Sequence, residues 1–132
     1  MPELALSAPP NVKLLSACCR ALDDKKAVDL LVLELGEAST IADCFVIATG
    51  TSEPHLRALA GAVSSTLKEE DASVLGRETT AGSGWAVVDA YDVMVHLFTA
   101  EVRDFYNLEG LWRDARRWKW DDAAGELLPS GG

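Results

Sequence analysis

Residues 43–55 read Asp-Cys-Phe-Val-Ile-Ala-Thr-Gly-Thr-Ser-Glu-Pro-His, and the turn Thr49-Gly50-Thr51-Ser52 is the first place where this chain could do chemistry. Backbone amides and hydroxyls at the start of a helix can cradle a phosphate. The turn lacks the Gly-x-x-x-x-Gly-Lys-[Ser/Thr] pattern and has no lysine beside it, so an NTPase loop is not indicated. Gly50, Thr51, Ser52 and His55 read instead as a structural corner. Nucleotidyl transfer would need carboxylates on adjacent strands to hold divalent cations. Asp89 and Asp92 are the tempting pair, but they flank a tight turn, where aspartate serves the backbone. The two histidines, His55 and His96, have no cysteine or serine partner at a recognisable spacing. Cys18, Cys19 and Cys44 are too few for a disulfide framework or a four-ligand zinc site, and read as small buried apolar residues. The residues therefore point to no catalytic group, no metal and no cofactor.

The elements around these residues follow from periodicity. Asn11 can cap a first helix in which Leu14, Leu15, Cys18, Ala21 and Leu22 recur at helical spacing. Val28 to Leu35 reads as a strand, joined to a second at Asp43 to Ala48 by a connection too short for a crossover, which predicts an antiparallel pair. Gly50 ends the second strand, Ser52 caps the next helix and Pro54 fits its first turn. That helix, Glu53 to about Glu70, places Leu56, Leu59, Ala60, Val63 and Leu67 on one face. A short strand is expected around Val74 to Glu78, then a hairpin from Trp85 to Phe98, then a short helix from Thr99 to Tyr106.

With 132 residues, 48% of them hydrophobic and 25% charged, the chain is long enough for one domain with its own core. The expected layout is a poorly ordered leader over 1–10, one domain over 11–118 and a disordered tail over 119–132. The first residues lack the plan of a signal peptide, and no apolar stretch reaches the length of a membrane span. A cytoplasmic protein without membrane contact is the expectation. A formal charge of -9 argues against broad binding along a nucleic-acid backbone. Arg113, Arg116, Arg117 and Lys119, with Trp118 and Trp120, are the one basic and aromatic concentration. They read either as a frayed helix end or as a minor contact to RNA.

The hairpin is the most informative stretch. With Ala90-Tyr91 as its turn, Trp85 opposes His96 and Val87 opposes Met94, and opposed residues share a face. Ala86, Val88, Val93, Val95 and Leu97 form a small aliphatic face suited to packing under helices. Trp85, Val87, Asp89, Asp92, Met94, His96 and Phe98 form the other, a mixture of bulky and polar groups that suits a protein-binding surface. Tyr91 in the turn and Glu101, Arg103 and Tyr106 after the last strand extend that candidate surface.

Asp43 to Ser52 with His55, and Trp85 to Phe98 continuing through Glu101-Val-Arg-Asp-Phe-Tyr-Asn-Leu-Glu109 to Leu111-Trp112, closely resemble the ribosomal silencing factor (Iojap-like) family. The match covers about Val12 to Trp112, with Leu75-Gly76 between the two motifs. The resemblance implies an α+β fold related to nucleotidyltransferases, with a mixed sheet of about five strands packed by helices but without catalytic carboxylates. It also implies a non-enzymatic factor that binds the large ribosomal subunit through its protein number fourteen. Such a factor would block small-subunit joining and repress translation under nutrient limitation. The family's partner surface includes the tryptophan matched by Trp85 and the sheet face around Met94, His96 and Phe98. Ala90-Tyr91 stands where the family usually has an aromatic residue or leucine followed by glycine. Two other readings accompany this one: a nucleotide-binding enzyme using Gly50, Ser52, Asp89 and Asp92, and a homodimer formed through the open face when the protein is free.

Overall fold

The computed structural model describes residues 8–36, 39–79 and 82–130. Helix α1 spans Val12–Asp24, strand β1 Val28–Glu34, β2 Cys44–Gly50, helix α2 Glu53–Glu69, β3 Gly76–Thr79, β4 Trp85–Asp89 and β5 Val93–Thr99. Two short helices, α3 at Ala100–Tyr106 and α4 at Leu108–Leu111, precede β6 at Arg116–Asp121 and β7 at Glu126–Ser130. Among the described residues the strands form one mixed sheet in the order β3-β4-β5-β2-β1-β6-β7. β2 and β5 run parallel at its centre, and every other neighbouring pair is antiparallel.

The strand alternation sorts side chains onto two faces. Val32, Val46, Ala48, Val88, Val95 and Leu97 meet Leu15, Cys18, Leu22, Leu56, Leu59, Val63 and Leu67, so α1 and α2 cover one face. Burying a leucine or valine fully in such a layer stabilises by about 1.5–3 kcal/mol. Leu31, Leu33, Phe45, Ile47 and Phe98 point the other way and meet Val102, Leu108 and Trp112 from the α3–α4 segment. The start of α2 follows the sequence closely. Ser52 Oγ accepts the His55 N–H at 3.2 Å, and Pro54 lies in the first turn.

Seven strands replace the expected five. The additional pair is β6–β7, formed where a disordered tail over 119–132 was expected, so the sheet runs through to Ser130. The physical reason is alternation. Trp118 and Trp120 turn towards the α1 layer, while Arg117 and Lys119 turn to the opposite face, which is a strand period rather than a frayed helix end. β6 hydrogen-bonds along β1, from Leu31 opposite Lys119 to Glu34 opposite Arg116. Of the expected leader, residues 1–7 lie outside the described residues, and Pro9 is buried.

The hairpin register also differs. Trp85 pairs with Phe98, Val87 with His96 and Asp89 with Met94, so the loop is Tyr91-Asp92, one residue later than expected. The Ala90 N–H donates to the Val93 carbonyl at 2.9 Å and closes it. Each residue's partner moves by two positions, which leaves both faces as the sequence predicted.

Candidate functional site

The site is assembled on the β4–β5 face and the α3–α4 segment that folds over part of it. Trp85 is its centre. The indole ring lies 4.7 Å from Tyr106, 5.0 Å from Phe98 and 5.8 Å from His96, centroid to centroid. The indole N–H donates to His96 Nδ1 at 3.2 Å. This bond requires the neutral ring to carry its proton on Nε2, which is buried and has no partner among the described residues. Phe45 packs edge-on to His96 at 4.5 Å and to Trp112 at 6.1 Å. Burial pushes the His96 imidazole down from 6.5 to about 4, with Asp89 opposing the shift in part.

The candidate surface residues separate into two layers. Phe98 and His96 are buried and form a floor, with Val87, Met94 and Trp85 half-buried at its edge. Above them Tyr106 is 47% exposed, whereas Tyr91, 70% exposed, lies in the hairpin loop at the other end of β4 and is not brought to Trp85. Phe105 at 80% and Leu111 at 73% belong to the same ledge and were not singled out from the sequence. For Phe105 the signal was present, because adjacent residues on a seven-residue helix cannot both face the sheet, and Phe105 directly precedes Tyr106. Glu101 is exposed on α3. Arg103 turns inward, where Nε meets Glu109 Oε2 at 3.2 Å and Nη1 donates to the Asp29 carbonyl and Thr49 Oγ1, both at 2.8 Å. It ties α3 to β1, β2 and α4, and so holds the ledge in place.

The Gly50–His55 corner is built for packing. A Cβ on Gly50 would stand 2.7 Å from Leu56 Cδ2, so a larger residue would force the Leu56 side chain to shift where β2 passes close to α2. His55 Nδ1 accepts the Thr51 N–H at 2.9 Å, and Nε2 donates to the Lys25 carbonyl at 2.7 Å, joining the corner to the end of α1. Asp89 Oδ1 accepts the Tyr91 N–H at 3.0 Å, the turn role that its position suggested. Among the described residues no three His, Cys, Asp or Glu side chains come together as metal ligands. Burial pushes the thiols of Cys18 and Cys44 up to about 12.

The fold separates the cluster's tryptophans from its cations, of which Arg113, Arg117 and Lys119 line one cavity while Arg116 turns to the other face. Trp118 is buried, its indole N–H donating to Glu34 Oε1 at 3.1 Å, and the Arg116 guanidinium lies over its ring. Arg20 covers Trp120. Neither indole presents the open face that base stacking requires.

A mixed sheet with helical layers on both faces and an aromatic ledge on one of them defines an α+β fold. The family model described as "Ribosomal silencing factor during starvation" matches residues 8–129. The chain belongs to the ribosomal silencing factor family. It is 38% identical over 104 residues to ribosomal silencing factor RsfS of Bacillus subtilis, covering 79% of this chain and 86% of that protein. It is 37% identical over 105 residues to the RsfS of Halalkalibacterium halodurans, covering 80% and 90%. A crystal structure of a Chromobacterium violaceum protein superposes with a TM-score of 0.73 at 34% identity, over 76% of this chain and 84% of that one.

Proposed function

We propose that the protein binds the large ribosomal subunit through its protein number fourteen and sterically blocks joining of the small subunit, repressing translation under nutrient limitation. The observation that carries this reading is the ledge of Phe105, Tyr106 and Leu111 beside Trp85, an apolar centre on a chain of charge -9. Aromatic anchors in a polar rim are where interfaces concentrate their energy, and an acidic surround steers towards a basic ribosomal protein. The role is steric and non-enzymatic, and it belongs in the cytoplasm. Among the described residues no helix is long and apolar enough to cross a membrane.

A subunit-joining assay tests the reading: added protein is expected to lower the yield of joined ribosomes. Phe105→Ala and Tyr106→Ala, both at exposed positions, should leave the fold intact and weaken co-sedimentation with large subunits by about thirtyfold each, the effect of losing a hot spot worth about 2 kcal/mol. Trp85→Ala should abolish it. Unchanged co-sedimentation of all three variants would remove this surface from consideration. In the free protein the same ledge would pair two copies, and light scattering across concentrations checks that. Any contact with rRNA would rest on the charges of Arg113 and Lys119, because Trp118 and Trp120 are occupied within the fold.

A further inference from the structure

The parallel strands β2 and β5 send the chain in opposite directions at their carboxyl ends. β2 leads into α2 on one face of the sheet, and β5 leads into α3 on the other. Such a divergence leaves a crevice beyond the strand ends, the place where open sheets with parallel strands bind ligands. A cavity of about 870 Å³ reaches this end of the sheet at Thr49 and Ala100 and extends along Asp29 to Leu31 of β1 and Arg117 and Lys119 of β6, under the α3–α4 segment. Its size suits a small-molecule ligand.

Four of the chain's 12 basic side chains line this one cavity: Arg103, Arg113, Arg117 and Lys119. Arg103 is committed to Glu109, Thr49 and the Asp29 carbonyl, and forms a fixed wall. Arg117 is held by one bond to the Glu109 carbonyl at 3.0 Å. Arg113 and Lys119 make no ion pair or hydrogen bond among the described residues. Two further acids border the cavity, Asp29 and Asp104. Asp29 sits at φ 52 where β1 bulges between Val28 and Leu31, a local distortion of the kind that re-aims a strand beside a binding site. Glu109 Oε1 is buried and lacks a hydrogen-bond donor among the described residues.

We infer that the crevice at this end of the sheet is a nucleotide-binding site, with phosphates against Arg113, Arg117 and Lys119. It differs in place and chemistry from the Gly50–Ser52 and Asp89–Asp92 positions, because it needs no metal ion. It also stands independently of the ribosomal reading.

Isothermal titration of the full chain with ATP, GTP, GDP and inorganic phosphate, in buffer containing EDTA, tests it. Saturable binding of at least one nucleotide is expected, tighter than inorganic phosphate. Arg113→Gln combined with Lys119→Gln should weaken it by about tenfold or more with thermal unfolding unchanged, since both side chains are exposed. Asp92→Asn should leave it unaltered. Absence of saturable heat with all four compounds, inorganic phosphate binding as tightly as any nucleotide, or indifference to the double substitution would each overturn the assignment. Because the titration uses the free protein, none of these outcomes bears on subunit joining.

Discussion

At His96 a single ring supports the ledge and sets an acid limit on the fold. Its Nδ1 holds the Trp85 indole, and burial keeps it neutral with a value near 4 instead of 6.5. In the unfolded chain the same ring takes up a proton as pH falls through 6.5, while the folded ring does not. The unfolded state therefore binds more protons between 6.5 and 4, and stability falls as pH drops through that window, by at most about 1.4 kcal/mol per unit. Stability is fully retained above it. Denaturant melts at pH 7 and pH 5 should show the wild-type protein losing about 2 kcal/mol more than His96→Asn, whose amide oxygen can still accept from Trp85. Equal losses would mean that His96 is not the acid-sensitive group. The sequence placed His96 on the correct face beside Met94 and Phe98. It did not reveal that His96 and Phe98 lie beneath Trp85 rather than beside it, because burial there depends on how α3 and α4 fold back.

For the elements, the hairpin separates what a sequence pattern fixes from what it leaves open. Side-chain alternation determines the face, and both faces of β4 and β5 were legible. It does not determine register, because a shift of two residues preserves every face. Register is set by the turn, and here the turn lacks the glycine that would have marked it. Tyr91 takes φ 74, and the Asp92 N–H bonds back to the Ala90 carbonyl, the hydrogen bond and φ of a γ-turn of the strained hand. A non-glycine residue held there costs about 1–3 kcal/mol, part of which glycine would return to its more flexible unfolded state. Tyr91→Gly should raise stability by about 1 kcal/mol and the melting temperature by about 4 °C. Calorimetry measures this directly, and an unchanged or lower melting point would show that the turn is unstrained. If Tyr91 touches the ribosomal partner, the same variant binds more weakly while being more stable.

For the whole molecule, the strand pair β6–β7 extends the sheet beyond the expected domain end and seals the outer side of β1. The sequence hid this because arginines and lysine interrupt the tryptophans, and a run of mixed charge and aromatic residues fits a solvated helix end as readily as a strand. The deciding facts are tertiary: Trp118 inserts under α1, and Glu34 accepts its indole N–H. Trp118→Ala would open a cavity and leave that carboxylate oxygen without its donor, and should cost about 3–5 kcal/mol in denaturant melts. A loss below 1 kcal/mol would show that β6 adds little to the core. By contrast, the central strands, the capped helix α2 and the Gly50 corner were readable throughout, since capping, close packing and apolar periodicity all pointed the same way.

The sheet ends in β3 on one side and β7 on the other, and neither margin invites another strand. β3 is four residues long and carries Arg77 and Glu78, while Pro129 in β7 has no N–H to offer a newcomer. Neither edge therefore favours a partner that would lengthen the backbone ladder. Margins closed that way also leave copies of the protein little opportunity to pair edge to edge into fibres.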